Sequence, residues 1–189
     1  MERIATLILN RNLPKVTNKL YEHLEKYDQG LTDIFVIEGG SDAELISKYA
    51  TWHVKTEQVM KNGLRYSRGM NYGLSQLWKD GLFNKYNAFF LLTNDTELEK
   101  KETIRPLLDL LNNHKFLGIL SPCGKQWGER FLLTEIDTRY FWFIHNNAFI
   151  LKREFILDIC EQEDPNQMNF LFDGSNFRGY GSEHELIAK

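Results

Sequence analysis

Ala88-Phe89-Phe90-Leu91-Leu92-Thr93-Asn94-Asp95-Thr96 is the stretch on which the fold turns. A run of apolar residues, too short for a helix, passes straight into a polar turn, as in a strand buried on both faces. The same pattern occurs twice upstream. Ile4-Ala5-Thr6-Leu7-Ile8-Leu9 ends in Asn10-Arg11-Asn12-Leu13-Pro14, and Ile34-Phe35-Val36-Ile37 ends in Glu38-Gly39-Gly40-Ser41-Asp42. Between those two strands, Val16, Leu20, Leu24 and Tyr27 recur at helical spacing until Gly30 stops the helix.

Further out, Thr51 to Lys55 reads as a weaker strand, and Met70, Leu74, Leu77 and Trp78 mark a helix that fades at Gly81. Ile104, Leu107, Leu108 and Leu111 predict another helix, and Phe116 to Leu120 another strand. Such alternation predicts an α/β fold, a mainly parallel central sheet with helices on both faces. In these sheets ligands lie outside the carboxyl ends of the strands, where all three polar clusters fall. The second half is less regular. Phe131 to Leu133, Arg139 to Ile144 and Ala148 to Leu151 read as strands, Arg153 to Cys160 as a helix, and Asp164 to Gln167 as a loop. No repeat, low-complexity tract or linker divides the chain, so residues 1–189 read as one domain.

With 42% hydrophobic and 26% charged residues, the 189-residue chain has ordinary globular usage, which excludes disorder as its main state. Lys and Arg number 23 against 26 Asp and Glu, a net charge of −3, so there is no basic excess for generic nucleic-acid binding. No apolar run approaches the ~20 residues of a membrane helix, and the N-terminus lacks the apolar stretch of a secretion signal. Cys123 and Cys160 lack metal-type spacing and read as packing thiols of a reduced, cytoplasmic protein.

Two clusters carry candidate chemistry. Thr93-Asn94-Asp95-Thr96 delivers a carboxylate to the open edge among hydroxyl and amide oxygens, a set suited to Mg²⁺ or Mn²⁺ shared with a phosphate substrate. The same tetrapeptide also makes an Asx turn capping the next helix. Glu38-Gly39-Gly40-Ser41-Asp42 offers glycines that let a ligand approach the backbone and carboxylates for ribose or base; it equally suits a turn and helix cap. No Gly-x-Gly-x-x-Gly follows the first strand, and no Gly-x-x-x-x-Gly-Lys phosphate loop is present.

Taken in order, Asn10-Arg11-Asn12, Ile37 to Asp42, Tyr66-Ser67-Arg68-Gly69-Met70-Asn71-Tyr72-Gly73 and Leu92 to Thr96 resemble the nucleotide-sugar-binding half of the family-two glycosyltransferases. These have the GT-A fold, and the likeness is to their rhamnosyltransferase-like branch. It continues through Asn146-Asn147-Ala148-Phe149-Ile150-Leu151-Lys152-Arg153 and Gly181-Ser182-Glu183-His184-Glu185-Leu186, nearly the whole chain. The resemblance implies a nucleotide-sugar-binding half over 1–120 and an acceptor-side half over 121–189.

The resemblance also implies roles. Asn10 and Asn12, with Glu38 and Gly39, would lie near base and ribose. Arg68 and Asn71 would border the donor phosphates or sugar, beside Asn94. Asp95 would ligate Mg²⁺ or Mn²⁺, and Glu183 or Glu185 would be the general base. Thr93 stands where the metal motif has its first acidic or Asn residue, Gly39 and Gly40 replace acidic or Asn positions, and His184 replaces an Asp.

Other residues have plainer readings. Arg139-Tyr140-Phe141-Trp142-Phe143 could floor an acceptor site or pack in the core. His145 could touch phosphate or be structural, Trp127 sits in a glycine-flanked loop that could cover a ligand, and His23, His53 and His114 read as surface or loop residues.

The expected activity is inverting, metal-assisted transfer of a sugar from a nucleoside diphosphate to a saccharide, lipid-linked or protein acceptor. It would belong to polysaccharide biosynthesis in the cytoplasm, with peripheral association at the inner membrane face compatible. Because Lys189 follows Glu183 by only six residues, the chain is expected to be a fragment of a longer enzyme that binds donor but transfers poorly. The alternatives are a non-catalytic nucleotide-sugar-binding module of the same fold and, less well supported, a nucleotidylyltransferase, whose glycine-rich first loop is missing here.

Overall fold

The computed structural model describes residues 3–122, 138, 144, 147–175 and 186. Among them, six strands form one sheet in the order β3-β2-β1-β4-β6-β5. The strands are β1 (Ile4–Asn10), β2 (Thr32–Gly39), β3 (Ala50–Val54), β4 (Ala88–Thr93), β5 (Ile119–Leu120) and β6 (Ala148–Lys152). β1 to β4 are mutually parallel, and β6 lies antiparallel between β4 and β5. The helices are α1 (Pro14–Tyr27), α2 (Glu57–Asn62), α3 (Arg65–Lys79), α4 (Ile104–Asn113) and α5 (Arg153–Ile159).

Side chains alternate across the sheet and feed two cores. Ala5, Leu7, Ile37, Phe89, Leu91, Phe149 and Leu151 pack with Met70, Leu74 and Leu77 of α3 and with Ile156 of α5. Ile4, Ile8, Val36, Phe90, Leu92 and Ile150 face the other way, onto Leu20 and Leu24 of α1 and Ile104, Leu108 and Leu111 of α4. Burying each such side chain is worth about 1.5–3 kcal/mol, which explains why continuous apolar runs, rather than alternating ones, mark the central strands.

Several elements differ from the sequence expectation. In α1 the inward residue is Thr17, fully buried, while Val16 is exposed. The Thr17 hydroxyl donates to Asn10 Oδ1 at 2.8 Å, so a polar demand at the end of β1 sets the helix's rotation. Helix α2 has no counterpart in the sequence expectation; it buries none of its residues, so no apolar period announces it. α3 begins at Arg65, a turn before Met70. β5 is confined to Ile119–Leu120, and Phe116 is fully exposed. The expected strands at 131–133 and 139–143 lie outside the described residues.

At the opposite end of the sheet, Asp28 reaches Thr103 and the start of α4, accepting from the Thr103 and Ile104 N–H groups at 3.0 and 2.8 Å. It supplies the N-terminal cap that α4 lacks locally. Burial holds its carboxyl above the ordinary range despite these two bonds. Tyr86 donates to Asp33 at 2.9 Å, and burial together with that carboxylate pushes its phenol up.

Candidate functional site at the carboxyl edge of the sheet

The parallel register brings three strand ends to one place. Asn10 lies opposite Glu38 across β1 and β2, and Leu9 lies opposite Thr93 across β1 and β4. Asn10, Glu38 and Asn94 are thereby neighbours, although they are far apart in sequence.

Asn10 and Glu38 have no solvent exposure. Asn10 Nδ2 donates to both carboxylate oxygens of Glu38 at 3.0 Å. Glu38 also accepts from the Ser47 N–H at 2.8 Å and from the Ser41 hydroxyl. Asn10 Oδ1 accepts from Thr17, from Asn94 Nδ2 at 2.8 Å and from the Leu13 N–H at 3.3 Å. A buried carboxylate is tolerated only when its lone pairs are satisfied in this way.

Above this pair, Asn12 adopts a left-handed φ of 58° and makes a two-way clamp with Asp42. Its Nδ2 donates to Asp42 Oδ2 at 3.1 Å, and the Asp42 N–H donates to Asn12 Oδ1 at 2.8 Å. The Asn12 N–H reaches Ser41 Oγ at 3.1 Å. The first two strand-end loops are thus stitched together.

The glycines of the second loop make room for protein. A Cβ on Gly40, whose φ is +86°, would stand 2.2 Å from the Val59 carbonyl oxygen of α2. One on Gly39 would stand 3.3 Å from both Leu64 Cβ and Leu9 Cδ1. The close approach they permit is that of α2 and the entry to α3. Arg11 donates to the carbonyls of Met60 and Lys61 at 3.2 Å and so caps the end of α2.

Arg68 and Asn71 of α3 are tied to the segment after α5. Asn71 Nδ2 donates to the Phe172 carbonyl at 2.7 Å, and the Phe172 N–H returns to Asn71 Oδ1 at 3.0 Å. Arg68 Nε donates to the Gly174 carbonyl at 2.7 Å. Asp95, in contrast, is exposed at the tip of the turn after β4, with Oδ1 accepting from Thr93 Oγ1 at 2.6 Å. Its Oδ2 has no hydrogen-bond partner among the described residues. Glu183 and Glu185, His145, Asn146, Trp127 and residues 139–143 lie outside them.

Among the described residues, no group of three or more His, Cys, Asp or Glu side chains converges to hold a metal ion. The donor set nevertheless fits a shared ion: Mg²⁺-type sites commonly use one or two carboxylates, with substrate phosphates and water completing the shell. Asp95, with one oxygen uncommitted among the described residues, would be that carboxylate.

No family model and no curated protein matches the sequence. Among solved structures, a mannosyltransferase from Pyrobaculum calidifontis, in complex with GDP-Man and Mn²⁺, superposes over 89% of this chain with a TM-score of 0.57 at 9% identity. The fold is that of the nucleotide-diphospho-sugar transferases. This chain spans 50% of that mannosyltransferase's length. A protein from Desulfovibrio desulfuricans G20 described as a nucleotide-diphospho-sugar transferase is similar at a TM-score of 0.48 and 10% identity, covering 100% of this chain and 74% of its own. The galactosyltransferase LgtC, with donor and acceptor sugar analogues, is similar at 0.43 and 12%, over 80% of this chain and 58% of its own. In the GT-A fold seen here, the antiparallel β6 beside β4 brings the Asn147 carbonyl within reach of the β4 turn. It accepts from the Thr93 N–H at 3.0 Å and from Thr96 Oγ1 at 2.8 Å, fixing that turn from the far side.

Proposed function

We propose that the chain is a glycosyltransferase domain that takes a nucleoside-diphosphate sugar and transfers the sugar to an acceptor hydroxyl with inversion. The observation that carries this reading is Asp95: an exposed carboxylate with an uncommitted oxygen, held at the carboxyl edge of the parallel strands in a fold of the nucleotide-diphospho-sugar transferases. The Pyrobaculum mannosyltransferase, in complex with Mn²⁺ and GDP-Man, supplies the analogy for the ligand.

In this reading the nucleotide lies across the ends of β1 and β2, over the platform made by Asn10, Asn12, Glu38 and Gly39. The diphosphate points toward Asn94 and Asp95, with Arg68 and Asn71 bounding the far side through the segment they hold. When bound, Mg²⁺ or Mn²⁺ at Asp95 offsets charge on the diphosphate. Glu183 or Glu185 takes the proton from the acceptor hydroxyl, a role worth about 10²–10⁴-fold. The acceptor oxygen then bonds to the anomeric carbon as the bond to the diphosphate breaks on the opposite face. Hexosyl transfer in the rhamnosyltransferase-like manner, for polysaccharide assembly at the cytoplasmic membrane face, belongs to the same proposal. No helix among the described residues is long and apolar enough to cross a membrane.

The test is calorimetry with UDP-, dTDP- and GDP-sugars, in Mn²⁺ and in EDTA. Binding should be stronger in Mn²⁺, and Asp95→Ala should abolish that enhancement without lowering the melting temperature, because the residue is exposed and packs little. Equal affinity in Mn²⁺ and EDTA would overturn the metal role; no binding to any of the three would overturn the function.

A further inference from the structure

The Asn10–Glu38 pair imposes a polarity on the site that neither residue needs to touch a ligand to exert. A carboxylate only accepts hydrogen bonds. Both oxygens of Glu38 face Asn10, so Asn10 must present its amino group to the carboxylate and turn its oxygen away. That oxygen gathers donors only: Thr17 Oγ1, the Leu13 N–H and Asn94 Nδ2. Asn94 must therefore commit its amino group to Asn10. What it has left among the described residues is its amide oxygen and the second N–H of the amino group, one residue from Asp95, whose second carboxylate oxygen is also uncommitted there. The reverse orientation would set the Asn10 oxygen against a buried charge, a contact that low local polarity makes costly.

We propose that Glu38 is a positioning residue: acting through Asn10, it holds the Asn94 amide one way round, amino group toward Asn10 and oxygen turned away, in the turn that carries Asp95. The turn then offers the Asn94 oxygen together with that of Asp95, the chemistry that a divalent cation takes, whereas the reversed amide would put its amino group in the oxygen's place. This rests on the reading of the β4 turn as the metal–diphosphate site. It gives the buried Glu38 a role that differs from direct contact with the base. Outer-shell partners that orient a ligating group are worth about 10–100-fold in metal affinity.

Glu38→Gln tests this, since it keeps the shape while making one arm of the side chain a donor, so that Asn10 is no longer held one way round. Two readouts are taken on the 189-residue chain: side-chain amide resonances of Asn10 and Asn94 in ¹⁵N-labelled protein, and calorimetric affinity for UDP and for GDP with MnCl₂ and with EDTA. In the variant the Asn94 amide signals should shift or double, although Asn94 makes no bond to Glu38. Affinity in MnCl₂ should fall about 10–100-fold while affinity in EDTA holds. Unmoved Asn94 signals would overturn the relay whether or not nucleotide binds. A fall in EDTA equal to that in MnCl₂ would assign Glu38 to the nucleotide itself and overturn the proposal too.

If the signals move but the parent chain shows no Mn²⁺-dependent nucleotide binding, the relay is supported and the metal role of the β4 turn fails. Asn94→Ala, at a half-buried loop position, covers the case in which Glu38→Gln does not fold. It should reproduce the loss in MnCl₂, and no loss would overturn the proposal. Where both fold, the double variant should lose no more than either single one, since both act on the same atom; additive losses would refute the coupling.

Discussion

Replacing Asn71 by leucine would remove two hydrogen bonds at once, the 2.7 Å bond to the Phe172 carbonyl and the 3.0 Å bond from its N–H. Asn71 and Phe172 are both almost fully buried, so water cannot take over either backbone group. Leaving one buried polar group unpaired costs about 1–3 kcal/mol, so two cost about 2–6. A leucine of similar volume recovers about 1.5–3 kcal/mol through its apolar surface, leaving a net loss of about 2 kcal/mol at the middle of both ranges. For a chain of this length each kcal/mol moves the melting temperature by about 2–4 °C, so the midpoint should fall by roughly 4–8 °C. The loss should be confirmed in urea, where Cm drops with an unchanged m. Hydrogen exchange should rise across residues 168–175, where Met168, Leu171 and Phe172 are buried against the α3 side of the sheet. Asn71→Asp should not rescue the protein, because a second carboxylate oxygen would face the Phe172 carbonyl. Unchanged stability combined with a selective loss of nucleotide affinity would refute this account and make Asn71 a ligand-contacting residue.

Burial raises the Asp28 carboxyl, so the folded chain keeps that proton to higher pH than the unfolded chain, whose value is about 3.9. Stability therefore declines as pH rises from the unfolded value through the folded one. Asp28→Asn keeps an oxygen acceptor for Thr103 and Ile104, so its stability relative to the parent should improve as the pH rises above about 4; urea unfolding at increasing pH checks it, and a constant difference would refute it. Gly40→Ala should destabilise the fold by more than Gly30→Ala. Both have left-handed φ, costing about 1–2 kcal/mol, but only Gly40 would press a Cβ onto the Val59 carbonyl, whereas Gly30 has open space around it. Equal Cm shifts for the two variants would show that α2 gives way freely.

The parallel frame is legible in the sequence because β1, β2 and β4 are covered on both faces and so read as unbroken apolar runs. β3 is fainter because it is an edge strand with its residues exposed or half-buried. Ala148 to Leu151 is readable as a strand, but nothing local places it antiparallel between β4 and β5; that depends on pairing with residues some 60 positions earlier. The site follows the same division. Asn10, Asn12, Glu38, Asn94 and Asp95 are visible as polar residues at strand ends, because the type of a loop is written locally. Their partners are not. The link from Asn71 to Phe172 spans 101 residues, and that from Asn10 to Asn94 spans 84. Gly39 and Gly40 suggest space for a ligand when the space is taken by α2 and Leu64, a distinction that only the path of the chain after β3 can make.

The density of bonds along this edge bears on how a ligand would be bound. Asn10, Asn12, Glu38, Ser41 and Asp42 are engaged with one another, and Arg68 and Asn71 hold the segment at Phe172 and Gly174. The left-handed φ of Asn12 has an energetic cost, and the two-way bond to Asp42 offsets it within the same pair of residues. Loops fixed in this way need no further ordering when a ligand arrives, and the entropy of immobilising them is not subtracted from affinity. Among the described residues, discrimination would then come from the few atoms that this network leaves over: loop backbone, the Asn94 side chain and Asp95. A platform of this kind suits a ligand recognised by its diphosphate and its divalent ion more than by its base. It follows that Asp95→Ala should weaken UDP, dTDP and GDP by similar factors, whereas a base-reading site would lose them unequally.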